Sequence, residues 1–568
     1  MKFLIEIIEQ SLVSAIADYG VSDTWKSALG PSREKGQADV TLPCFVIAKE
    51  LKRNPMEIAS ELAEKVNGEF HVSATGGYLN FKANAEWLVD KVLKWEKPSP
   101  NNQILIEHTS ANPNGPFHVG RARNAILGDS LVRLHRLYGN KVRAEYYVDD
   151  MGKQVAVLAW ALENLSKEMV NQILSDRDGM NPKWEGKPDH ETVRWYQAAQ
   201  ALRSENNQEI EDAISKLVHD SENGNDDVLQ QFENAYKPVL DGMLETLSRL
   251  GIGFDTFTKE SKFVVDGSVS TLMDELSSLE INGIAENGAQ YLDLGQRGLK
   301  GKTEFFYRRG DGSSLYATRD IAYHIWKWSQ TDHLINVLGE DHKLQAKQVG
   351  LTLKELGHKV PEVLFYAFIK LPEGKMSTRK GNVVFMDDLL EEAKFHAAEV
   401  VRELRTDLSE EQINHIAEAV GVSAVRFNIT KVSPDKGFTF RWEEALSFEG
   451  GSAPFVMYSH TRACSIANKV GKDANFESRG EIIDSVYELA RSMGVFQDKL
   501  EISVLDNKPH IFANYLLELA TAYNAFYRDC HILTSDGLNE FYYALSEKAR
   551  YMLGIGMEGI GVIPLEEM

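Results

Sequence analysis

At 568 residues the chain has room for three or four domains of about 150 residues each. Hydrophobic residues make up 43 % and charged residues 26 %, an ordinary globular balance, and no apolar run reaches the roughly 20 residues that span a bilayer. A net charge of -22 argues against a generic polyanion binder, and three widely separated cysteines, Cys44, Cys464 and Cys530, exclude a disulfide framework or a cysteine-rich zinc site. Nucleic acid stays open as a partner, provided it is held by specific contacts on a local basic surface.

Residues 1–97 read as a first unit. The opening MKFLIEIIEQ carries Glu6 and Glu9 within its apolar pattern, which predicts an amphipathic helix rather than a secretory signal. Residues 39–45 read as a strand or extended turn, and a helix starts at Asn54-Pro55, where proline suits the first turn. Gly76-Gly77 feeds an alternating strand that starts at Tyr78 and includes Asn80. Those two residues suit either an unpaired base or the core of a small α/β domain. Residues 95–102 have the composition of a linker.

A short apolar strand over 103–106 leads into Pro113, Gly115 and Pro116, which force a loop, and helical periodicity begins at His118. The loop delivers His118, Gly120 and Arg121 to a helix N-terminus, where free amides and the helix dipole favour phosphate. A plain proline-glycine turn before a core helix fits the same residues. A second strand over 142–147 makes this the start of a parallel sheet, whose ligands bind at the carboxyl ends of strands. Residues from about 153 to 262 are charged and helical in pattern, as an insertion would be, and the sheet is expected to resume after Phe254, with strand-like runs at 290–294 and 303–307. Tyr316 and Asp320 fall one helical turn apart. A buried strand over 334–338 ends in Gly339-Glu340-Asp341-His342, the ligand position for this fold class. A last strand, 364–369, precedes LPEGKMSTRKGNVV, in which Gly374 and Gly381 bracket Lys375, Ser377, Arg379 and Lys380. Cations this dense face solvent or an anion. From about residue 410 the pattern is helical apart from 438–442, and Tyr523, Phe526 and Tyr527 share one helix.

HVGR at 118–121 and KMSTR at 375–379 resemble HIGH and KMSKS, the two signature motifs of class I aminoacyl-tRNA synthetases, in that order and at opposite ends of one interrupted sheet. Along essentially the whole chain the resemblance narrows to the arginyl-tRNA synthetase family, with family-like segments at 107–114, 147–152, 316–320, 454–462 and 559–568. It implies a multidomain α/β protein: a small α/β N-terminal domain over 1–97 that contacts the tRNA elbow at its D-loop, a Rossmann-like parallel-sheet catalytic domain over 98–405 with a helical insertion at about 153–262, and an all-α anticodon-binding domain over 406–568. The implied reaction joins L-arginine to ATP as arginyl-adenylate, releases pyrophosphate, and passes arginine to the 3′-terminal adenosine of tRNA(Arg). Mg²⁺ is expected with ATP, held by phosphates and water, with no protein-bound zinc and no set of metal ligands.

The same resemblance assigns residues. His118, Gly120, Arg121, Lys375, Ser377, Arg379 and Lys380 would form the catalytic set, and His118, Gly120, Gly339, Glu340, Lys375 and Met376 would hold ATP. Glu107, Ser110, Asn112, Tyr316, Asp320 and His342 would hold arginine, with Asp320 as guanidinium partner. Tyr78 or Asn80 would meet the D-loop, and Phe455, Tyr458, Tyr523, Tyr527 and Met568 the anticodon loop. A cytoplasmic monomer without membrane contact is expected. The chain departs from the pattern twice: Arg121 stands for the second histidine of the first motif, and Thr378 for the second lysine of the other, leaving Arg379 or Lys380 to substitute. The rivals are another synthetase of the class and a non-catalytic, synthetase-like RNA-binding protein. The cysteine count disfavours zinc-using cysteinyl enzymes, and the chain leaves little room for a separate editing domain. A non-catalytic relative would be expected to have lost His118 or the Lys375 loop.

Overall fold

A computed structural model describes residues 1–32, 38–174, 182–204, 207–370, 384–535 and 537–568. Near the N-terminus, strands β1 (Gly30–Pro31), β2 (Val40–Pro43), β3 (Phe70–Thr75) and β4 (Tyr78–Ala83) form an antiparallel sheet in the order β1-β2-β4-β3. Gly76 and Gly77, at φ 58° and 83°, make the two-residue turn between β3 and β4. Alternation along β4 then buries Leu79, Phe81 and Ala83 and leaves Tyr78 exposed. Helices Lys2–Ile16 and Pro55–Lys65 bury Leu4, Ile8, Leu12, Ile58 and Leu62 in the same core; Asn54 caps the second by accepting from the Met56 amide at 3.0 Å.

The element that positions the site is a parallel sheet built from β5 (Gln103–Glu107), β6 (Lys141–Val148), β7 (Thr256–Lys259), β11 (His333–Gly339) and β12 (Glu362–Tyr366), in the order β12-β11-β5-β6-β7. Ile104, Leu105 and Ile106 are buried in succession, as a strand covered on both faces requires. Helix Val119–Tyr138 crosses from β5 to β6 and is buried along most of its length. Between β6 and β7 lie helices Lys153–Asn164, Lys167–Ile173, Pro188–Ser204, Gln208–Glu222 and Asp226–Arg249.

Two expectations need correcting. The stretch expected to be helical to residue 262 contains β7, an edge strand of the sheet; with only four residues and Phe257 exposed, it carries almost no periodic signal. The runs at 290–294 and 303–307 do not continue the parallel sheet. They lie in β9 (Gln290–Asp293) and β10 (Glu304–Arg308), which with β8 (Asn282–Ile284) form a separate antiparallel sheet, because hairpin-length connections can join only antiparallel neighbours.

Beyond residue 410 come helices Glu410–Thr430, Ala453–Val470, Asp484–Gly494, Phe496–Leu505, Pro509–Asp529 and Glu540–Glu558, with a small hairpin pairing Leu533–Thr534 with Gly537–Leu538. Arg426, fully buried, joins three parts of the chain: Nη2 reaches Asp129 Oδ2 at 2.5 Å on the crossover helix and the Ile560 carbonyl at 3.2 Å, while Nη1 donates to the Leu250 carbonyl at 2.7 Å. Gly561 sits at φ 73° where a Cβ would overlap this guanidinium. Among the described residues no helix is long and apolar enough to cross a membrane.

Candidate active site

At the carboxyl ends of β5, β6 and β11 lies a cavity of about 440 Å³. Glu107, Ser110, Asn112, Arg121, Tyr316, Asp320, Gly339 and His342 line it, so the structure brings together these eight residues from four segments of chain. The turn after β5 is strained: Thr109 and Ser110, neither a glycine, hold φ of 68° and 36°. Such residues cost about 1–3 kcal/mol each and cluster where function needs them. The surroundings fix them in place. The Thr109 amide donates to Asn124 Oδ1 at 2.7 Å, while Ser110 Oγ donates to Glu107 Oε1 at 3.1 Å and accepts from the Tyr147 amide at 3.1 Å.

His118 is the N-cap residue of helix Val119–Tyr138, makes no side-chain cap, and is followed by no acidic residue in the first turn. The Val119 amide is taken by the Val384 carbonyl at 3.0 Å and the Arg121 amide by the His118 carbonyl at 3.0 Å, so what the helix start offers an anion is its dipole and the Gly120 amide between them. Burial, then the neighbouring Arg121, lower the His118 imidazole to about 4, so it is neutral at physiological pH. A Cβ on Gly120 would come within 3.0 Å of His118 Nδ1, so the glycine makes room for that ring. Arg121 reaches the cavity, whereas His118, Gly120 and Glu340 are not among its lining residues; Glu340 is exposed and lies 3.8 Å from Lys343.

Lys375, Met376, Ser377, Arg379 and Lys380 lie outside the described residues. The flanks of that stretch are both tied to the first motif. Downstream, Val384 accepts from the Val119 amide at 3.0 Å, and the Met386 amide donates to the Phe117 carbonyl at 2.7 Å. Upstream, the buried Arg123 donates to the carbonyls of Ala367 at 2.5 Å, Lys436 at 2.7 Å and Ser433 at 2.9 Å. Next to the downstream flank, Asp387 gathers Lys187 Nζ at 2.7 Å, His190 Nε2 at 2.9 Å and Thr246 Oγ1 at 2.9 Å. Asp189, His190 and Asp387 have the spacing of a metal site, but the Lys187 ammonium already sits against both carboxylates, 3.1 Å from Asp189.

The other end of the cavity is acidic. Burial would raise the Asp320 carboxyl, but His324, Lys327 and His342 hold it below its ordinary value, so it is ionised. Asp149 lines the cavity as well. Behind it Glu260, fully buried, is hydrogen bonded through Oε1 to Arg319 Nε, and its Oε2 has no partner. Burial pushes Asp149 and Glu260 up, against the pull of Arg319; the Asp149 carboxylate raises Glu260 further, and that of Asp150 raises Asp149. Two adjoining buried carboxyls share a proton in preference to ionising together. Tyr147 Oη is also buried without a partner, on a ring stacked 4.1 Å from that of Tyr323. An array of acceptors left unsatisfied by the protein fits a planar, multiply donating cation.

Asp149, Glu260, Tyr147, Asn124 and Lys327 were not singled out from sequence. The run 147–152 stood out as family-like without a role for any member. Glu260 and Lys327 follow an edge strand and sit in an ordinary helix, and no local pattern marks them.

The class I tRNA synthetase (R) catalytic-domain model matches residues 84–442, the arginyl tRNA synthetase N-terminal domain model residues 3–83, and the DALR anticodon-binding domain model residues 456–568. The chain is 40 % identical to the arginine–tRNA ligase of Methanocella arvoryzae, covering 100 % of this chain and 99 % of the relative. It is 38 % identical to that of Methanocaldococcus jannaschii, covering 94 % of each. The chain belongs to the arginyl-tRNA synthetase family. Its structure resembles Thermus thermophilus arginyl-tRNA synthetase with a TM-score of 0.80 at 26 % identity, covering 100 % of both chains.

As in its family, this synthetase carries a DALR domain at its C-terminal end, and there the structure sorts the expected tRNA residues. Tyr458 and Tyr527 are exposed, with the Arg462 guanidinium 4.4 and 5.2 Å from their ring centres. Phe455 is half-buried against the core. Tyr523 is fully buried with its hydroxyl 2.9 Å from Ser546 Oγ; it packs the bundle and has no face to offer a base, which corrects the expectation. Met568 is half-buried, its carbonyl accepting from Arg405 Nη1 at 2.8 Å. Tyr78, 44 % exposed, and Asn80, half-buried, lie on β4 of the N-terminal sheet.

Proposed function

We propose that the chain is an arginine–tRNA ligase that activates L-arginine with ATP and charges tRNA(Arg). One observation carries this reading: a single cavity is lined by Arg121 and Asn124, from a helix whose acid-free start suits phosphate, and by Tyr147, Asp149 and Asp320, whose oxygens suit a guanidinium. The α-carboxylate of arginine attacks the α-phosphate of ATP in line; the bond to the β-phosphate breaks and pyrophosphate leaves. A hydroxyl of the 3′-terminal adenosine of tRNA then attacks the arginyl carbonyl, and AMP leaves. Catalysis here is positioning plus stabilisation of phosphoryl charge.

In this reading Asp320, Tyr316 and the Asp149–Glu260 pair receive the guanidinium, Glu107, Ser110 and Asn112 receive the α-amino end, and His342 makes a further substrate contact. Gly339 and Glu340 meet the adenosine, His118 donates to phosphate oxygens beside Gly120 and Arg121, and Lys375, Met376, Ser377, Arg379 and Lys380 belong with the triphosphate. Lysine is rejected because its point charge leaves part of the acceptor array unpaired. Mg²⁺ arrives with ATP; the one triad with ligand spacing among the described residues already holds Lys187. Residues 1–97, 98–405 and 406–568 act as elbow-binding, catalytic and anticodon-binding domains, with Tyr78 or Asn80, and Phe455, Tyr458, Tyr527 and Met568, touching tRNA. The enzyme works as a cytoplasmic monomer and needs bound tRNA before it forms adenylate.

Charging of total tRNA with labelled arginine, against labelled lysine and a His118→Ala control, tests the reading. Arginine should be attached, lysine not, and the control should be inactive. Rapid ATP–pyrophosphate exchange with arginine but without tRNA would contradict the tRNA requirement.

A further inference from the structure

Lys327 lies on helix Tyr316–Trp328, facing away from solvent, with no exposed surface. A buried ammonium is costly unless every N–H finds a partner. This one has three: Glu107 Oε2 at 2.5 Å, Asn336 Oδ1 at 3.1 Å and His324 Nε2 at 3.2 Å, with the Tyr323 ring centre 4.2 Å away. Asn336 Nδ2 also approaches His324 Nε2, at 2.7 Å. Two donors aimed at Nε2 make it the acceptor, so the ring proton resides on Nδ1. Nδ1 faces Asp320, 2.8 Å from its carbonyl and 3.2 Å from Oδ1.

The lysine thus touches one cavity carboxylate directly and orients the other through a histidine whose tautomer it sets. We propose that Lys327 is the positioning residue of the amino-acid site, holding Glu107 by direct pairing and Asp320 through His324, so that both carboxylates meet arginine from fixed places. This rests on the reading of the cavity as the arginine site. Glu107 Oε2 is engaged by the protein itself and Glu107 Oε1 by Ser110, which leaves Glu107 oriented toward the α-amino end and Asp320 Oδ2 toward the guanidinium. The inner cation also offsets the charge of two carboxylates that would otherwise repel each other across the cavity.

The test compares steady-state charging of tRNA by the full-length wild type, Lys327→Met, Glu107→Gln, Asp320→Asn and the two double variants. Lys327→Met should lower kcat/KM for arginine on the order of 10²-fold, the cost of misplacing a substrate contact by about an ångström, with KM for ATP within about twofold of wild type. In the Glu107→Gln and Asp320→Asn backgrounds its effect should shrink to about tenfold or less, because the group it positions is already gone. The same loss in both backgrounds as in the wild type, or a KM for ATP that rises in step, overturns the proposal. If Glu107→Gln and Asp320→Asn themselves leave KM for arginine unchanged, it is the assignment of the cavity that fails. Should Lys327→Met not fold, His324→Leu cuts the link to Asp320 alone: a raised KM for arginine supports the relay, and an unchanged one overturns it.

Discussion

Val119 donates its amide hydrogen to the Val384 carbonyl, 3.0 Å away, so the segment carrying His118 and the segment that follows residues 371–383 share one hydrogen-bonded edge. The side chain that secures this edge is Asp387, three residues on, with Lys187, His190 and Thr246 of the helical insertion converging on it. Asp387→Ala would leave the Lys187 ammonium buried with one carboxylate partner fewer, which costs about 3–5 kcal/mol. Urea unfolding should show that loss. Charging should show a raised KM for ATP, since Phe385 and Met386 lose their anchor; a stable variant with normal ATP kinetics would separate the insertion from the nucleotide site.

Asp149 and Glu260 should make arginine binding proton-linked. Both carboxyls are raised in the folded state, mainly by burial, so the folded protein keeps a proton that the unfolded chain releases. From the ordinary value of 4.5 for Glu260 upward, stability contributed by this pair therefore falls as pH rises. A bound guanidinium supplies the missing counter-charge and expels the proton. Calorimetry in buffers of different ionisation heat should register proton release on arginine binding, and affinity should rise with pH; Glu260→Gln should flatten both.

Gly120→Ala separates stability from activity. A Cβ there meets His118 Nδ1 at 3.0 Å and Cε1 at 3.1 Å, so the imidazole must move. Alanine is the better helix former by up to about 1 kcal/mol, so thermal melting should hold or rise. Charging should fall about 10- to 100-fold with KM for ATP raised.

The tyrosines of the DALR domain should divide by exposure. Tyr527→Ala and Tyr458→Ala should raise KM for tRNA with little change in KM for arginine, each removing a stacking surface worth about 1–3 kcal/mol per base. Tyr523→Phe should leave KM for tRNA unchanged and cost about 1 kcal/mol of stability, from the Ser546 hydroxyl it abandons.

Deleting Met568 should weaken charging more than folding, with a raised KM for tRNA. Its carbonyl is held by Arg405, so the chain end is docked rather than loose, and an unchanged KM would remove it from the tRNA contacts.

The parallel sheet was legible because its strands are short apolar runs followed by polar ligand-side residues, as at Ile104–Glu107 and Leu334–His342. Gly76-Gly77 and Asn54-Pro55 fixed a turn and a helix start for local reasons of backbone geometry. The sheet does resume after Phe254, but β7 itself was not legible, since four residues with only Thr258 buried leave no period to read. That Tyr316 and Asp320 share one face of a helix showed through their spacing, and both line the cavity. Glu260 and Lys327 could not, because each matters only through a residue far away in sequence: Arg319 for the first, Glu107 for the second. Tyr523 and Tyr527 share a helix, and only packing shows that one faces the core and the other solvent.

Arg426 and Asp129 are 297 residues apart in sequence, and the Ile560 carbonyl completes their junction. Asp129 thus takes one partner, Arg133, from its own helix and another, Arg426, from far along the chain, and the Arg426 junction is complete only once the segment carrying Ile560 has docked. The N-terminal sheet can form early from its own local pairs, but the catalytic centre cannot. A chain that stopped short of Ile560 would then fold its N-terminal sheet while the crossover helix, which begins at His118, rested on an incomplete Arg426 junction.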